Sequence, residues 1–239
     1  MKAALALIAV LTAAPALAET WRIGTEADYA PYVFHDASGA LTGLDKELGD
    51  LICARAGVDC IWTEVAFDAL FTGLAAGQFD LVMAGVGSTP DRMKLADFSD
   101  PYRDTGQNTG VFAGLSIGIG IDSALIGVQS GTNFEAWLTA TGRRFRGYAS
   151  NEAAIKALLS REVDLVFGSS SYFQHAFETD FPQLRAVGQE QFPSNGTAVA
   201  VRRGNAALLA RINDLLAALR ADGSIQAIED RWFVDGDPV

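Results

Sequence analysis

Twice the chain carries an amphipathic helix through a short connection into an apolar run that opens Asp-Leu-Val. Residues 68–82 read DALFTGLAAGQFDLV and residues 152–166 read EAAIKALLSREVDLV. An apolar run without polar alternation does not suit a solvated sheet face, so each strand calls for cover on both sides, the situation of parallel strands joined by helices. The pattern therefore predicts an α/β protein with largely parallel sheets. Only five of the fifteen positions are identical. The two units can be the centres of two similar lobes or two ordinary units of a single sheet.

The remaining elements agree with that class. TWRIGT (20–25) alternates as a strand does, and IWTEV (61–65) reads as the next one. Leu44, Leu48, Leu51 and Ile52 recur at helical spacing, with Gly57 where that helix should stop. Asp68 stands where it would cap a helix bearing Leu70, Phe71 and Leu74. Leu208, Leu209, Ile212, Leu215, Leu216 and Leu219 line a long amphipathic helix closed by Gly223, and a shorter one holds Ile225, Ile228 and Trp232.

The N-terminus has another purpose. Met1-Lys2 precedes AALALIAVLTAAPALA, a short apolar run ending in an A-x-A pattern. That is a secretory signal peptide, residues 1–18, cleaved after Ala18. A membrane anchor would need roughly 20 apolar residues, and no cysteine follows the cleavage point to take a lipid. The formal net charge is −11, and losing Lys2 makes residues 19–239 one unit more negative. Such acidity argues against nucleic acid and anionic membranes as partners, and it suits a soluble monomer. Cys53 and Cys60 are the only cysteines. In an oxidising compartment a pair seven residues apart reads as a disulfide clip. A metal site would need more ligands nearby, and His35 and His175, the only histidines, are far apart, so no metal or cofactor is expected.

The first Asp-Leu-Val strand ends in an unusual way. In DLVMAGVGSTPDR (80–92) the apolar run dissolves into glycines, a hydroxyl pair and an arginine. Exposed amides at the carboxyl end of a strand are where open α/β sheets hold ligands.

Several stretches together resemble one family. They are IGTEADYAPYVF (23–34), GLDKELGDLICARAGVDC (43–60), FDALFTGLAAGQFDLVMAGVGSTPDR (67–92) and ADFSDPY (96–102), with weaker matches in GVQSGT (127–132), AVAVRRG (198–204) and ALRADGSIQAIEDRWF (218–233). In that order they resemble the periplasmic solute-binding proteins of polar amino-acid ABC transporters. The resemblance implies two α/β lobes joined by two hinge strands, crossing near residues 103–107 and 190–197. Residues 19–104 with 196–239 would form lobe 1 and residues 105–195 lobe 2. A ligand would be trapped when the lobes close and then delivered to a permease in the inner membrane. The Cys53–Cys60 spacing matches a disulfide found in one branch of the family.

The resemblance also implies a site. Arg92 stands where the family's arginine binds the ligand's α-carboxylate, a task suited to a planar guanidinium that can donate two parallel hydrogen bonds. The Gly87 amide would add a donor, and the amides of Thr132 and Asn133 would reach the carboxylate from the other lobe. Phe67 and Tyr29 match aromatic walls. Glu26 lies where some members face a cationic side chain with an acid. The chain departs from the pattern on the ammonium side: Ser169 replaces the usual aspartate at the end of the second Asp-Leu-Val strand, and the acceptors normally near Gly85 and Gly87 have lost their side chains. A buried ammonium without a carboxylate partner is costly. A carboxylate lacking an ordinary α-amine therefore fits the visible donors better than a standard amino acid. Ser169, Ser170 and Ser171 read equally as a lid or a hydrated gap.

Three functions follow: a binding protein delivering a small carboxylate-bearing solute to an ABC importer, an accessory of a periplasmic quinoprotein dehydrogenase, or a cyclohexadienyl dehydratase-like enzyme. The last needs a proton donor facing the cleft, and neither histidine lies in a cleft motif. No nucleophilic triad, P-loop, zinc spacing or dinucleotide fingerprint is present.

Overall fold

The computed structural model describes residues 19–103, 107–193 and 195–233. The expected signal peptide lies outside them, as do residues 104–106 and 194 of the expected crossings. In chain order the first part holds β1 (Thr20–Thr25), β2 (Asp28–Tyr29), β3 (Val33–His35), β4 (Leu41–Thr42), α1 (Leu44–Ala56), β5 (Asp59–Glu64), α2 (Leu70–Ala75), β6 (Leu81–Val82) and β7 (Ala96–Phe98). Next come β8 (Gln107–Gly114), β9 (Ile126–Gln129), α3 (Asn133–Ala140), β10 (Phe145–Tyr148), α4 (Asn151–Leu159), β11 (Leu165–Ser169), α5 (Ser170–Glu178) and β12 (Arg185–Pro193). The chain then adds β13 (Ala200–Arg202), α6 (Ala206–Ala221) and α7 (Ser224–Trp232).

These strands make two large sheets, not one. The first has the order β5-β1-β6-β13-β7 and the second β10-β9-β11-β8-β12, while β2, β3 and β4 form a small sheet of their own. Both large sheets follow one plan: three parallel strands, then two antiparallel ones. The repeated sequence unit supplies the third strand of each. Its aspartate acts alike in both. The Asp80 N–H donates to the Arg22 carbonyl and its carboxylate accepts from the Arg22 N–H at 3.0 Å; the Asp164 N–H donates to the Leu125 carbonyl and its carboxylate accepts from the Leu125 N–H at 2.8 Å. The carboxylate thus ties the start of its strand to the neighbouring one.

Both sheets are covered on both faces, as the apolar runs required. In the first, Leu48, Ile52, Ile212 and Leu216 pack with Ile23, Leu81 and Val201, while Leu70, Leu74 and Phe79 cluster with Val82 and Ala200. In the second, Ile155, Leu158 and Phe173 meet Val111 and Val166, and Leu138 and Phe134 meet Phe112, Ile126 and Phe167. Helix α1 stops at Gly57, whose φ of 68° only glycine adopts without strain. Cys53, near the end of α1, is disulfide-bonded to Cys60 on β5.

Two local expectations need correction. Asp68 does not cap a helix: Phe67–Ala69 is a 3-10 turn running directly into α2. A cap needs an extended residue whose side chain folds back, and Ala69 before α2 is already helical. In the second unit Ser150 is extended and its hydroxyl accepts from the Ala153 N–H. Gly223 closes the long helix as expected: α6 ends at Ala221, and after Asp222 the glycine, at a φ of 80°, donates its N–H to the Arg220 carbonyl at 3.2 Å and turns the chain into α7. The strand expected at 61–65 spans Asp59–Glu64, because the pairing with β1 already begins at Thr20 and Asp59.

Two segments run side by side between the sheets. On one side the Thr197 N–H donates to the Arg103 carbonyl at 2.7 Å and the Tyr102 N–H to the Thr197 carbonyl at 2.9 Å. On the other, β8 pairs with β12 through Asn108 and Phe192.

Candidate functional site

Parallel strands of one sheet all deliver their carboxyl ends to the same edge, and here the two edges face each other across a pocket. The end of β1 supplies Glu26 and Tyr29, the end of β6 supplies Gly85, Gly87, Ser88, Thr89 and Arg92, and the 3-10 turn supplies Phe67. From the second sheet come Gln129, Thr132, Asn133, Asn151 and Ser169. All nine residues singled out from the sequence line this one pocket, of about 600 Å³ counted out to its mouth. The histidines do not. His35 and His175 line a separate groove.

Arg92 is the only cation among the described lining residues. Its guanidinium lies over the Phe67 ring at 5.0 Å and the Phe71 ring at 5.7 Å, and donates to the Gly87 carbonyl at 3.1 Å. A longer contact of 3.5 Å reaches the Gly131 carbonyl of the second sheet's side. No carboxylate bonds to it among the described residues. Burial pulls its pKa down to about 10, the mark of a cation lacking a full counter-charge.

The two glycines of this turn differ in kind. Gly85 has a φ of 59°, and a Cβ there would sit 2.3 Å from the Tyr29 ring. Its N–H is committed to the buried Asp45 carboxylate, which also accepts from the Tyr102 hydroxyl at 2.7 Å. Burial outweighs those bonds and raises Asp45 to about 7. Gly87 is free of such constraints: a Cβ would meet only the Gly196 carbonyl, at 3.9 Å. Its bridge to Thr197 is flanked by the Ala198 N–H bond to Val86 and the Ser88 N–H bond to Gly196. In that register the Gly87 N–H points away from Thr197, to the side of its own carbonyl, where Arg92 lies.

Across the pocket, the Thr132 hydroxyl accepts from the Glu135 N–H as the cap of α3 and donates to the Gln129 carbonyl. The amides of Thr132 and Asn133 open that helix and have no intrahelical acceptor.

Glu26 is the only acid among the described lining residues, and it is 4% exposed. Its Oε2 accepts from the Gln129 Nε2 at 2.6 Å, and the Asn151 Nδ2 donates to the Gln129 Oε1 at 2.9 Å. Gln129 and Asn151 are themselves 3% and 6% exposed. Burial raises Glu26 to about 8; the Gln129 bond opposes this, Asp28 adds to it, and Arg92 opposes it least. At neutral pH this carboxyl keeps its proton.

A family model of bacterial extracellular solute-binding proteins, family 3, matches residues 21–235. The chain belongs to that family.

This solute-binding protein is 30% identical to the Escherichia coli K12 ABC transporter arginine-binding protein 1, over 95% of this chain and 96% of that one. A Salmonella typhimurium periplasmic binding protein described for high arginine specificity superposes with a TM-score of 0.83 at 27% identity, covering 91% of this chain and all of the other. An ancestral amino acid-binding protein described as a precursor of cyclohexadienyl dehydratase gives 0.78 at 26% identity, over 90% and 95%. The fold is accordingly the two-lobe solute-binding fold. Among the described residues no helix is long and apolar enough to cross a membrane, and no group of three or more acids, histidines and cysteines could hold a metal.

In this binding protein Ser169 is 5% exposed, and its side chain is among the groups that act on the Tyr29 phenol. Tyr29 stacks on Tyr32 at 5.1 Å and, across the cleft, on Tyr172 at 6.1 Å. Ser170 and Ser171 are neither lid nor gap, because α5 begins at Ser170. The sequence reading missed Gln129, Asn151 and Asp45. Gln129 ends β9 inside the GVQSGT match, so its place at a strand end was a usable signal. Asn151 carried none, since its position follows only from how α4 is laid against the cleft.

Proposed function

We propose that the protein captures a small carboxylate-bearing solute, an amino acid or a relative of one, and delivers it to an ABC permease. It does so in the periplasm, as a soluble monomer without catalytic turnover. The lobes are residues 19–104 with 196–239, and residues 105–195. Arg92 supports this reading most: a cation lining the interlobe pocket, flanked by aromatic rings and bonded only to carbonyls, calls for an anion. The Gly87 amide and the first amides of α3 at Thr132 and Asn133 complete a carboxylate site fed by both lobes. Phe67 and Tyr29 wall the remainder of the ligand, Gly85 shapes the turn, and Ser169 stands where an ammonium would be met.

A thermal-shift screen of amino acids, opines and plain organic acids tests the reading. A ligand at a hundred times its dissociation constant stabilises the protein by roughly 2.7 kcal/mol. No shift with any carboxylate would reject it.

Glu26 also favours a second reading. A carboxyl that keeps its proton beside the pocket is the donor a dehydratase requires. Turnover of prephenate by the purified protein would establish that reading, and its absence would leave capture alone.

A further inference from the structure

The Glu26–Gln129–Asn151 chain joins the lobes, and nothing in carboxylate capture requires it. Glu26 belongs to the first sheet's edge, Gln129 to the end of β9 and Asn151 to the start of α4. One carboxyl oxygen is taken by Gln129. The other, Oε1, has no hydrogen-bond partner among the described residues, and Glu26 lines the pocket. The carboxyl thus presents one free oxygen to whatever occupies the cleft. Both amides can turn over, so the chain can donate to a carboxylate or accept from a carboxylic acid. The contact between lobes therefore survives either charge state.

The groups around Glu26 decide what it costs to leave it charged. Asp28 on its own segment repels the charge, and Arg92 attracts it from the turn after β6. The phenols of Tyr29 and Tyr172 lie within electrostatic reach and stay neutral. Gln129 gives a single bond. Desolvation exceeds all of these. With the lobes apart, water reaches the carboxyl and it ionises in the ordinary range.

We infer that closure of this cleft is proton-linked through Glu26. A ligand with no cation closes the lobes only if Glu26 takes up a proton, whereas a ligand that brings a cation to its free oxygen closes them without one. The inference rests on the carboxylate-capture reading and assigns that site a pH-dependent preference: acidic conditions admit uncharged side chains, and rising pH selects for cations. Gln129 and Asn151 are the positioning residues.

The sign follows from linkage. In the closed, cation-free state Glu26 titrates near 8, above its ordinary range, so closing binds a proton between those limits. Affinity is then greatest in acid, falls by up to about tenfold per pH unit as pH rises, and levels off above the closed-state value.

The test compares L-arginine with glutaramate, which is glutamine without its ammonium, by calorimetry from about pH 5.5 to 8 in buffers of different ionisation enthalpy. Glutaramate should take up close to one proton and lose affinity with rising pH, while arginine should take up markedly less. Asp28, which accepts from the Glu152 N–H across the cleft, titrates alike with both ligands and cancels in the difference. Glu26→Gln should abolish the difference. Gln129→Leu, which removes the donor to the carboxylate, should extend the glutaramate decline to higher pH. Equal proton counts for the two ligands, or a difference that survives Glu26→Gln, overturn the inference while capture stands. If neither probe binds, this inference is overturned, while the capture reading stands or falls with the wider carboxylate screen.

Discussion

The two Asp-Leu-Val strands begin alike and end differently. Asp80 and Asp164 tie their strands to a neighbour through the same bonds. Beyond that, β6 leaves its sheet after two residues and runs through Gly85 and Gly87 to Arg92, whereas β11 continues for five and passes from Ser169 directly into α5. The lining inherits the contrast. Among the described residues, the lining's cation, Arg92, and its acid, Glu26, come from the first lobe, while Gln129, Asn133, Asn151 and Ser169 of the second are neutral amides and a hydroxyl. The start of a strand serves the sheet and the end lines the pocket. One lobe holds the ionisable acid and the cation, and the other lines the pocket with neutral hydrogen-bonding groups.

Removing the charged lobe's cation is the most severe way to break that division. Arg92→Ala should weaken binding of a carboxylate by at least tenfold, since a desolvated, charge-assisted contact costs about 2–5 kcal/mol to lose. The melting temperature should barely move, and unchanged affinity in calorimetry would take Arg92 out of the site.

Placing a charge on the neutral lobe is the converse. Ser169→Asp should improve affinity for an α-amino acid and weaken it for the deaminated analogue, each by roughly tenfold, the scale of one charge-assisted hydrogen bond. An equal shift for both ligands would mean that position 169 does not read charge.

The two glycines sharpen the division within the first lobe. Gly87→Ala should lower affinity several-fold at constant melting temperature, because its Cβ meets only pocket space and one distant carbonyl. Gly85→Ala should instead lower stability by about 1–3 kcal/mol, since φ is positive and the Tyr29 ring blocks the Cβ. The opposite pairing of effects would show that the turn presents its other face to the ligand.

The smallest effect on binding is expected from the disulfide. Cys53 and Cys60 close a short loop far from the pocket lining. Reduction should remove about 2–3 kcal/mol of stability and leave affinity unchanged. Two alkylatable thiols in freshly isolated periplasmic protein would contradict the pairing.

Much of the site was legible because it is made of strand ends. The glycines and Arg92 of the 80–92 stretch follow an apolar run whose character is local, while Glu26, Thr132, Asn133 and Ser169 came from the family resemblance; sheet topology gathers such strand ends at one edge. The aromatic residues were legible only as candidates. Phe67 packs in the core of its lobe and lies beneath Arg92, so it serves both purposes. The misreading of Asp68 came from a cap signal with no extended residue to carry it. Gln129 and Asn151 escaped because their partners lie 103 and 22 residues away.

The sequence by itself determined the α/β class, the paired units and the cation at the end of β6, because side-chain period and strand-end chemistry are properties of short segments. Only the tertiary structure decided that Gly85 is held by Asp45 while Gly87 is left to the pocket, and that Glu26, the acid among the described lining residues, is raised to about 8 by burial. Those outcomes depend on what surrounds each group. Desolvation of Glu26 arises when two lobes, each encoded far from the other in the chain, close water out between them.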